Sequence, residues 1–442
     1  MRSKIQRRGL NIAVIGFGTA GGAAAAFLAR DGGHNVTIFD KTSTESLEKS
    51  NAGAGLGIQP IGLRVLQRLN VLDEVLKYGS RIDHLKAVDV SWNDRTVLDL
   101  SYRDFQESLF GLGLHRSVLF HSLRRLVENE SKINIQCGVE VVDINIPNTL
   151  SADPDRVDET LVVLDDNTKH AFDLVVVADG RRSIRTSLPS DFKSYEHWYK
   201  FGCLWTVLPD TERVFSSRPE LSQKLEGTQK MLGFLPSGRS HPDSSSSSSS
   251  IDLVSLFWSL DMKTLNEVQA QGIESWKSEV LRMEPRASSL LEHVHSFEDL
   301  IPAEYSDTFC PKLYYGNSCV FLGDCAHAMS PQLGQGANLA LVDAWKMSSF
   351  VNNNSDGSIS ESLRKYDRDR RWRLRFYQLN SRMLTPVFQS HSKFVSTVRN
   401  VFMGPLCKFP PTRWQMLATL CGAQNNGIPY ACIPEDEYML VS

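Results

Sequence analysis

An apolar run, Asn11–Ile15, stops at Gly16-Phe17-Gly18-Thr19-Ala20-Gly21, and an alanine-rich stretch, Thr19–Arg30, continues from that turn. A second apolar run then closes on Asp40, 19 residues after Gly21. Strand, glycine turn, helix and strand make a βαβ unit, and few short patterns restrict a fold more tightly. The spacing is that of a dinucleotide fingerprint. Two glycines permit a tight turn and close approach of a pyrophosphate, the third lets helix and strand pack, and the acid ending the second strand accepts hydrogen bonds from ribose hydroxyls. A glycine turn beside an unrelated surface aspartate is the plainer alternative, and the strand before and helix after weigh against it. Nothing in this motif alone separates NAD(P) from FAD.

Two later strands carry acid-glycine pairs of their own. Asp173–Ala178 (DLVVVA) is apolar throughout, as a central parallel strand is, and runs into Asp179-Gly180-Arg181-Arg182-Ser183-Ile184-Arg185. Val320–Leu322 runs into Gly323-Asp324. A proline loop then passes Pro331, Gly334, Gln335 and Gly336 before a helix predicted over Ala337–Met347, with Asn338 in its first turn. Glycines thin a surface until N–H groups can touch a ligand, and the first turn of a helix leaves its N–H groups unpaired and partly positive. An anionic or electron-rich group is expected there.

Other periodicities predict helices over Leu63–Tyr78 and Arg116–Glu128 and strands over Ile133–Ile146 and Leu161–Leu164. From Tyr199 to Trp258 strands follow one another across turns, Met231–Leu235 and Ile251–Trp258 among them, which points to a second, mostly antiparallel sheet. The serine run inside His241–Asp252 is expected at a solvated hairpin tip. Short packed helices are expected from Met383 onward.

Bulk properties exclude more than they assign. At 442 residues the chain exceeds the ~250 to 300 at which one core stops growing, so two domains are expected. A net charge of −3 makes no electrostatic commitment to nucleic acid or membrane. The basic run Arg364–Arg375 is interrupted by Asp367 and Asp369 and reads as a solvated amphipathic helix. Eight cysteines without C-x-x-C or zinc spacing read as free, mostly buried thiols in a reducing, cytoplasmic compartment, with no metal site. The basic start MRSKIQRRGL is not followed by an unbroken apolar segment, since Gly16, Gly18, Gly21 and Gly22 interrupt it, and no run reaches the ~20 residues of an integral membrane segment.

The glycine fingerprint, the Asp179-Gly180 motif and the Gly323-Asp324 motif with its P-x-x-G-Q-G-x-N tail occur in order between Gly16 and Asn338. In this the chain resembles the single-component FAD-dependent aromatic hydroxylases, the family of p-hydroxybenzoate and salicylate hydroxylases. The resemblance implies FAD as cofactor, NAD(P)H as a transient cosubstrate, O2, a small organic substrate, and a monomer or homodimer. The implied cycle passes hydride to FAD, forms a flavin C4a-hydroperoxide and transfers one oxygen atom to an aromatic or polycyclic ring. It further implies that Asp324 binds the ribityl chain, that the helix starting near Ala337 faces the flavin pyrimidine edge, and that Arg116 contacts FAD. The loop Ala52–Gly57 would pass the isoalloxazine ring at Ala54. The expected cofactor residues are therefore Gly16, Gly18, Thr19, Ala20, Gly21, Asp40, Ala54, Arg116, Asp324, Pro331, Gly334, Gln335, Gly336, Ala337 and Asn338.

The implied fold is α/β, with a discontinuous Rossmann-like FAD-binding domain over 1–80, 101–190 and 300–380. A substrate-binding sheet domain covers 81–100 and 191–299, and a helical C-terminal region covers 381–442. Trp205, Thr206, Phe234 and Trp258 are expected to line the substrate pocket. Asp40 stands where a Glu is usual, Val177 where a Gly is, and Cys325 where an Ala is. Thr206 occupies the place of an arginine common in salicylate-type relatives, and Phe234 that of a tyrosine, which leads to the expectation of a larger, less charged substrate. His327, Ser183 and Arg185 read as structural members of their motifs, and no catalytic residue is assigned. An epoxidase, a flavin reductase or dehydrogenase without oxygen transfer, and a nonenzymatic FAD-binding regulatory protein are the alternatives.

Overall fold

The computed structural model describes residues 9–46, 55–146, 159–189, 191–242, 251–354, 358–428 and 430–441. Chain order begins β1 (Asn11–Ile15), α1 (Thr19–Arg30), β2 (Asn35–Asp40), β3 (Gly55–Ile58), α2 (Pro60–Arg68), α3 (Leu72–Tyr78), β4 (Ser80–Ile82), β5 (His84–Asp89) and β6 (Arg95–Ser101). It continues β7 (Gly111–His115), α4 (Arg116–Glu128), β8 (Ile133–Cys137), β9 (Val141–Asn145), β10 (Thr160–Leu164), β11 (Lys169–Phe172), β12 (Leu174–Val177), β13 (Tyr195–Pro209), β14 (Glu220–Glu226), β15 (Lys230–Gly238) and β16 (Leu253–Asp261). Then come α5 (Leu265–Ala270), α6 (Ile273–Met283), α7 (Ser288–Leu291), β17 (Ile301–Phe309), β18 (Tyr314–Tyr315), β19 (Cys319–Phe321), α8 (Asp324–His327), α9 (Gly336–Asn352), α10 (Ile359–Phe388), α11 (Lys393–Lys408) and α12 (Pro410–Leu420).

The molecule is an α/β fold built on two large sheets. The six-stranded sheet runs β18-β19-β12-β1-β2-β8, with β19, β12, β1, β2 and β8 parallel neighbours. Its central strands are covered on both faces, which is why NIAVI and LVVV read as unbroken apolar runs. Ala23–Ala26 of α1 are buried where that helix packs on α9, and alanines permit so close an approach. Connections leave β1 toward β2 on one side while β12 lies on the other, so strand order reverses beside β1; ligands of open α/β sheets bind beyond strand ends at such a point.

The seven-stranded sheet runs β17-β13-β16-β15-β14-β5-β6 and is antiparallel except for β14 against β5. One face is covered by α6 and α7, giving a separate core that contains Leu204, Phe234, Trp258 and Trp276. The opposite face turns toward the six-stranded domain, where β3 and β7 meet β15.

Three local expectations are revised. The helix predicted over Leu63–Tyr78 is two, α2 and α3, because Asn70 takes a left-handed conformation (φ 61°) that asparagine tolerates and a continuous helix does not. The strand predicted over Ile133–Ile146 breaks at Gly138 (φ 76°), sending β8 to the six-stranded sheet and β9 to a separate sheet with β10 and β11. The basic run is not simply solvated: it lies inside the 30-residue α10, where Arg370 and Arg373 are buried. The expected serine-rich hairpin tip, Ser244–Ser250, lies outside the described residues.

Candidate functional site

The glycine turn divides its labour. A Cβ on Gly16 would lie 2.5 Å from the Ala178 carbonyl oxygen, and one on Gly21 would lie 1.9 Å from the Gly16 carbonyl oxygen, so both glycines serve protein packing, Gly16 against the end of β12 and Gly21 within the turn. A Cβ on Gly18 meets nothing within 4 Å. Gly18 faces open space, where the chain leaves room for something else. Thr19 begins α1 half-buried, Ala20 is buried, and the helix start has no side-chain cap, so its first N–H groups stay available to an anion. Gly18→Val is therefore expected to yield a folded protein that no longer retains a dinucleotide, whereas Gly21→Val is expected not to fold; circular dichroism and absorbance of the purified variants distinguish the two.

Asp40 ends β2 half-buried. One carboxylate oxygen accepts from Phe17 N–H at 2.7 Å and the other from Thr42 N–H at 2.8 Å, which clamps the turn to the strand end while leaving each oxygen a second lone pair. Beside it, at the carboxyl ends of β2 and β8, a cavity of about 520 Å³ is lined by Phe17, Thr44, Phe120, Cys137 and Val139 among others.

The Gly323-Asp324 loop meets α1 and α9 at one point: a Cβ on Gly323 would stand 3.3 Å from Ala20 Cβ and 3.4 Å from Ala340 Cβ. Asp324 is exposed, and its carboxylate makes no hydrogen bond to the described residues. Arg116, the first residue of α4, is likewise exposed and without a partner among them; it follows His115, which pairs with Gly55 across β7 and β3. Ala54 lies outside the described residues.

The proline loop separates the roles of side chain and backbone. Gln335 and Asn338 are buried, and their side chains are committed to the protein. Gln335 Nε2 donates to the Leu420 carbonyl at 2.7 Å. Asn338 accepts from Gln59 N–H at 2.8 Å and donates to the carbonyls of Gly57 and Gly334 at 3.1 and 3.0 Å, stapling β3 to the loop. What remains free is backbone, together with Gln335 Oε1, which is buried with no partner among the described residues. Pro331 and Gly334 are exposed, Gly336 and Ala337 are half-buried, a Cβ on Gly336 meets nothing within 4 Å, and α9, which starts at Gly336, has no side-chain cap and no acid in its first turn.

Behind the loop stands a buried polar group. His327 Nε2 contacts Asp343, whose other oxygen accepts from Arg370 Nε at 2.9 Å, and Gly323 N–H donates to the same carboxylate at 3.1 Å. Burial alone would raise the Asp343 carboxyl; the neighbouring His327 and Arg370 override it and hold the group below the usual carboxylate range. His327 is a support for the loop. Arg185, also buried, donates to the Cys325 carbonyl and to Glu196, and the Cys325 thiol reaches the Val177 and Leu322 carbonyls at 3.0 Å, tying the two acid-glycine motifs together. The sequence places Asp179 in a motif and assigns it no contact. In the fold it adjoins Gly16, accepts from Ile184 N–H at 2.7 Å, and keeps Oδ1 buried with no partner among the described residues. Burial pushes this carboxyl up, and a hydroxyl donor would satisfy it.

The substrate pocket requires a larger correction. Register pairs Thr206 with Leu256 and Leu256 with Phe234, and Leu204 with Trp258. All of these point to the helix-covered face, where Phe234 stacks on Phe215 at 4.2 Å and Trp258 meets Trp276 edge-on at 6.3 Å. Thr206, Phe234 and Trp258 therefore belong to that outer core, and their identities carry no information about a substrate. Trp205 alone of the four faces the other way, half-buried, directly opposite Phe257. Phe257, which the sequence analysis does not name, is the second ring on that face. It packs against the cores on both sides of the crevice, its ring crossing Gly233, where a Cβ would lie 1.9 Å from a ring carbon. Strand alternation was the available signal: Phe257 and Trp258 cannot share a face.

Among the described residues no group of three His, Cys, Asp or Glu side chains could hold a metal, and no helix is long and apolar enough to cross a membrane. Two uncapped helix starts opening on one crevice at the strand ends, with unpartnered carboxylate oxygens between them, suit a pyrophosphate joined to a polyhydroxyl chain and an electron-rich ring. Such an arrangement fits an FAD-binding oxidoreductase. The family described as FAD binding domain matches residues 10–375, and the chain belongs to it as an FAD-dependent monooxygenase. It is 26% identical over 378 residues to 3-amino-4-hydroxybenzoate 2-monooxygenase of Streptomyces cremeus, covering 81% of this chain and 83% of that one. It is 26% identical over 393 residues to hispidin-3-hydroxylase of Neonothopanus nambi, covering 84% and 87%. Among solved structures, Klebsiella pneumoniae HpxO complexed with FAD and uric acid superposes with a TM-score of 0.72 at 17% identity, covering 93% of this chain and 97% of that one.

Proposed function

We propose that the enzyme uses NAD(P)H and O2 to insert one oxygen atom into an uncharged aromatic or polycyclic substrate, held between FAD and the inward face of the seven-stranded sheet. FAD bound at this site would accept a hydride from NAD(P)H and reduce O2, one atom of which goes to the substrate and the other to water. Asp324 would accept hydrogen bonds from the ribityl hydroxyls, Asp179 and Asp40 from further hydroxyls, and the start of α1 would hold the pyrophosphate. The N-terminus of α9 would stabilise negative charge on the reduced ring by about 0.3–1 kcal/mol, up to ~2 when partly buried. Arg116 supplies a second positive group at the same crevice.

The observation that carries the substrate class is the chemistry of two cross-strand rows. Val207, Ser255 and Leu235 form one, with the Leu221–Leu85 pair on the same face, and Trp205, Phe257, Gly233, Gln223 and Ala87 form the other. Neither contains a charged side chain. In the adjacent row the Cys203 thiol is pushed up to about 11 by burial, so it is no base at neutral pH. The two rows offer ring contacts and water exclusion to a substrate and no cation to a carboxylate, and the Arg399 guanidinium at the far end of the adjacent row is taken by Asp89. The relatives' names support an aromatic ring as the acceptor of oxygen.

Substrate-stimulated NAD(P)H oxidation across phenols, N-heterocycles, polycyclic compounds and benzoates, with ¹⁸O2 label followed into product, tests the reading. Uncharged rings should stimulate most and acquire label; preferential coupled turnover of a benzoate would overturn it. Phe257→Ala is expected to raise KM for the productive substrate by about tenfold, the loss of some 1.4 kcal/mol of ring contact, and to increase H2O2 release. Trp258→Ala should act on stability, by about 3–5 kcal/mol, with KM little changed.

A further inference from the structure

Helix α11 is built inside out. Its buried side chains are Ser396, Arg399, Asn400 and Cys407, and both Arg399 and Asn400 bond to the buried Asp89, Asn400 at 2.8 Å. The opposite face and the residue that follows it present Phe394, Val398, Val401, Phe402, Leu406 and Phe409 to solvent. Their spacing of three, four and seven residues is one helical stripe. The three phenylalanines are 76%, 58% and 57% exposed. At about 200 Å² for a whole aromatic side chain they alone show on the order of 400 Å², the size of the largest apolar patch of a typical monomer.

Charge identifies what such a face meets. Between Asp369 and Glu435 the sequence contains no acidic residue, in a chain whose net charge is −3. Three cations of the segment are matched by acids elsewhere, Arg382 by Asp307, Arg399 by Asp89 and Arg413 by Asp104, and the buried Arg373 donates to the Gly422 carbonyl. Lys393 and Lys408, at the two ends of α11, are exposed and have no ion-pair partner among the described residues. Self-association through this stripe would set like charges together. An antiparallel pair of α11 helices puts Lys393 of one copy beside Lys408 of the other, and a parallel pair puts each lysine beside its own counterpart, with no nearby acid on the segment to relieve either. An anionic lipid surface supplies both needs at once, an apolar layer for the phenylalanines and phosphates for the lysines.

We propose that α11 is an interfacial helix that seats this enzyme on an anionic phospholipid surface, lying in the headgroup layer without crossing it. The test is flotation of the full-length, FAD-loaded protein with phosphatidylcholine vesicles prepared with and without phosphatidylserine. The protein should float with serine-lipid vesicles at low salt, bind neutral vesicles at least tenfold more weakly, and be released as salt screens the lysines. Phe394→Asp with Phe402→Asp should abolish flotation. Lys393→Glu with Lys408→Glu, which leaves the apolar stripe intact, should weaken it by about thirtyfold or more. Flavin absorbance verifies that each variant is folded. Failure of the wild type to float with serine-lipid vesicles, or indifference of its binding to both pairs of substitutions, would overturn the proposal. So would sedimentation velocity showing a stable dimer that the phenylalanine pair dissolves while vesicles leave it undisturbed, which would assign the face to a second copy.

Discussion

Asp343→Asn is expected to lower the unfolding free energy by about 3–5 kcal/mol, because it leaves the buried Arg370 guanidinium without its counter-charge. Asp343 and Arg370 have fully buried side chains, and the carboxylate also receives His327 and the Gly323 N–H. The denaturant midpoint should fall with the slope unchanged. The sign with pH follows from the direction of the shift. The folded carboxyl titrates below its ordinary value, so its contribution is fully present above the unfolded value of about 4 and is withdrawn as pH falls through the lower folded one. The wild type should thus lose stability in acid faster than the variant, and the two curves should converge there. A gap that stayed constant down to the acid unfolding transition would show that Asp343 is not charged in the fold. Since Gly323 adjoins Asp324, the variant should also retain FAD less well, as a consequence of a loosened loop.

Asp324→Ala should do the opposite, sparing the fold and losing the cofactor. The side chain is exposed and bonds to no described residue, so the apoprotein should stay within about 0.5 kcal/mol of wild type, as surface substitutions do. Hydrogen bonds to a charged carboxylate contribute about 1.5–3 kcal/mol, which predicts a loss of FAD affinity of roughly ten- to a hundredfold. Titration of apoprotein with FAD, followed by flavin fluorescence, measures it. Unchanged affinity would remove Asp324 from the cofactor site. The contrast with Asp343 separates two acids 19 residues apart in the sequence, one facing the crevice and one holding the wall behind it.

Features with local causes were legible in the sequence. Gly21 is required by a clash with the Gly16 carbonyl inside the turn, and Gly16 by its own positive φ of 101°, so the pattern appears in consecutive residues. The buried parallel strands β1, β12 and β19 are short apolar runs because both their faces are covered, and the acid-glycine pairs mark where those strands end. The helix boundary at Asn70 and the strand break at Gly138 were missed, since a left-handed residue interrupts a segment without disturbing its hydrophobic period.

Order along the chain therefore determined the parallel sheet, the second sheet and the succession of motifs, which follow from periodicity and steric demands acting within a few residues, while the cofactor class followed from the family resemblance that those motifs carry. The tertiary structure alone decided which side each strand presents. Alternation says that Phe257 and Trp258 oppose each other, but only the helices packed on one face of the sheet and the nucleotide domain facing the other tell which of the two can meet a substrate. The same holds for Asn338 stapling Gly57, for Arg370 pairing with Asp343, and for the outward phenylalanines of α11. Burial and pairing belong to the surfaces that segments distant in sequence bring together, and a one-dimensional pattern does not contain them.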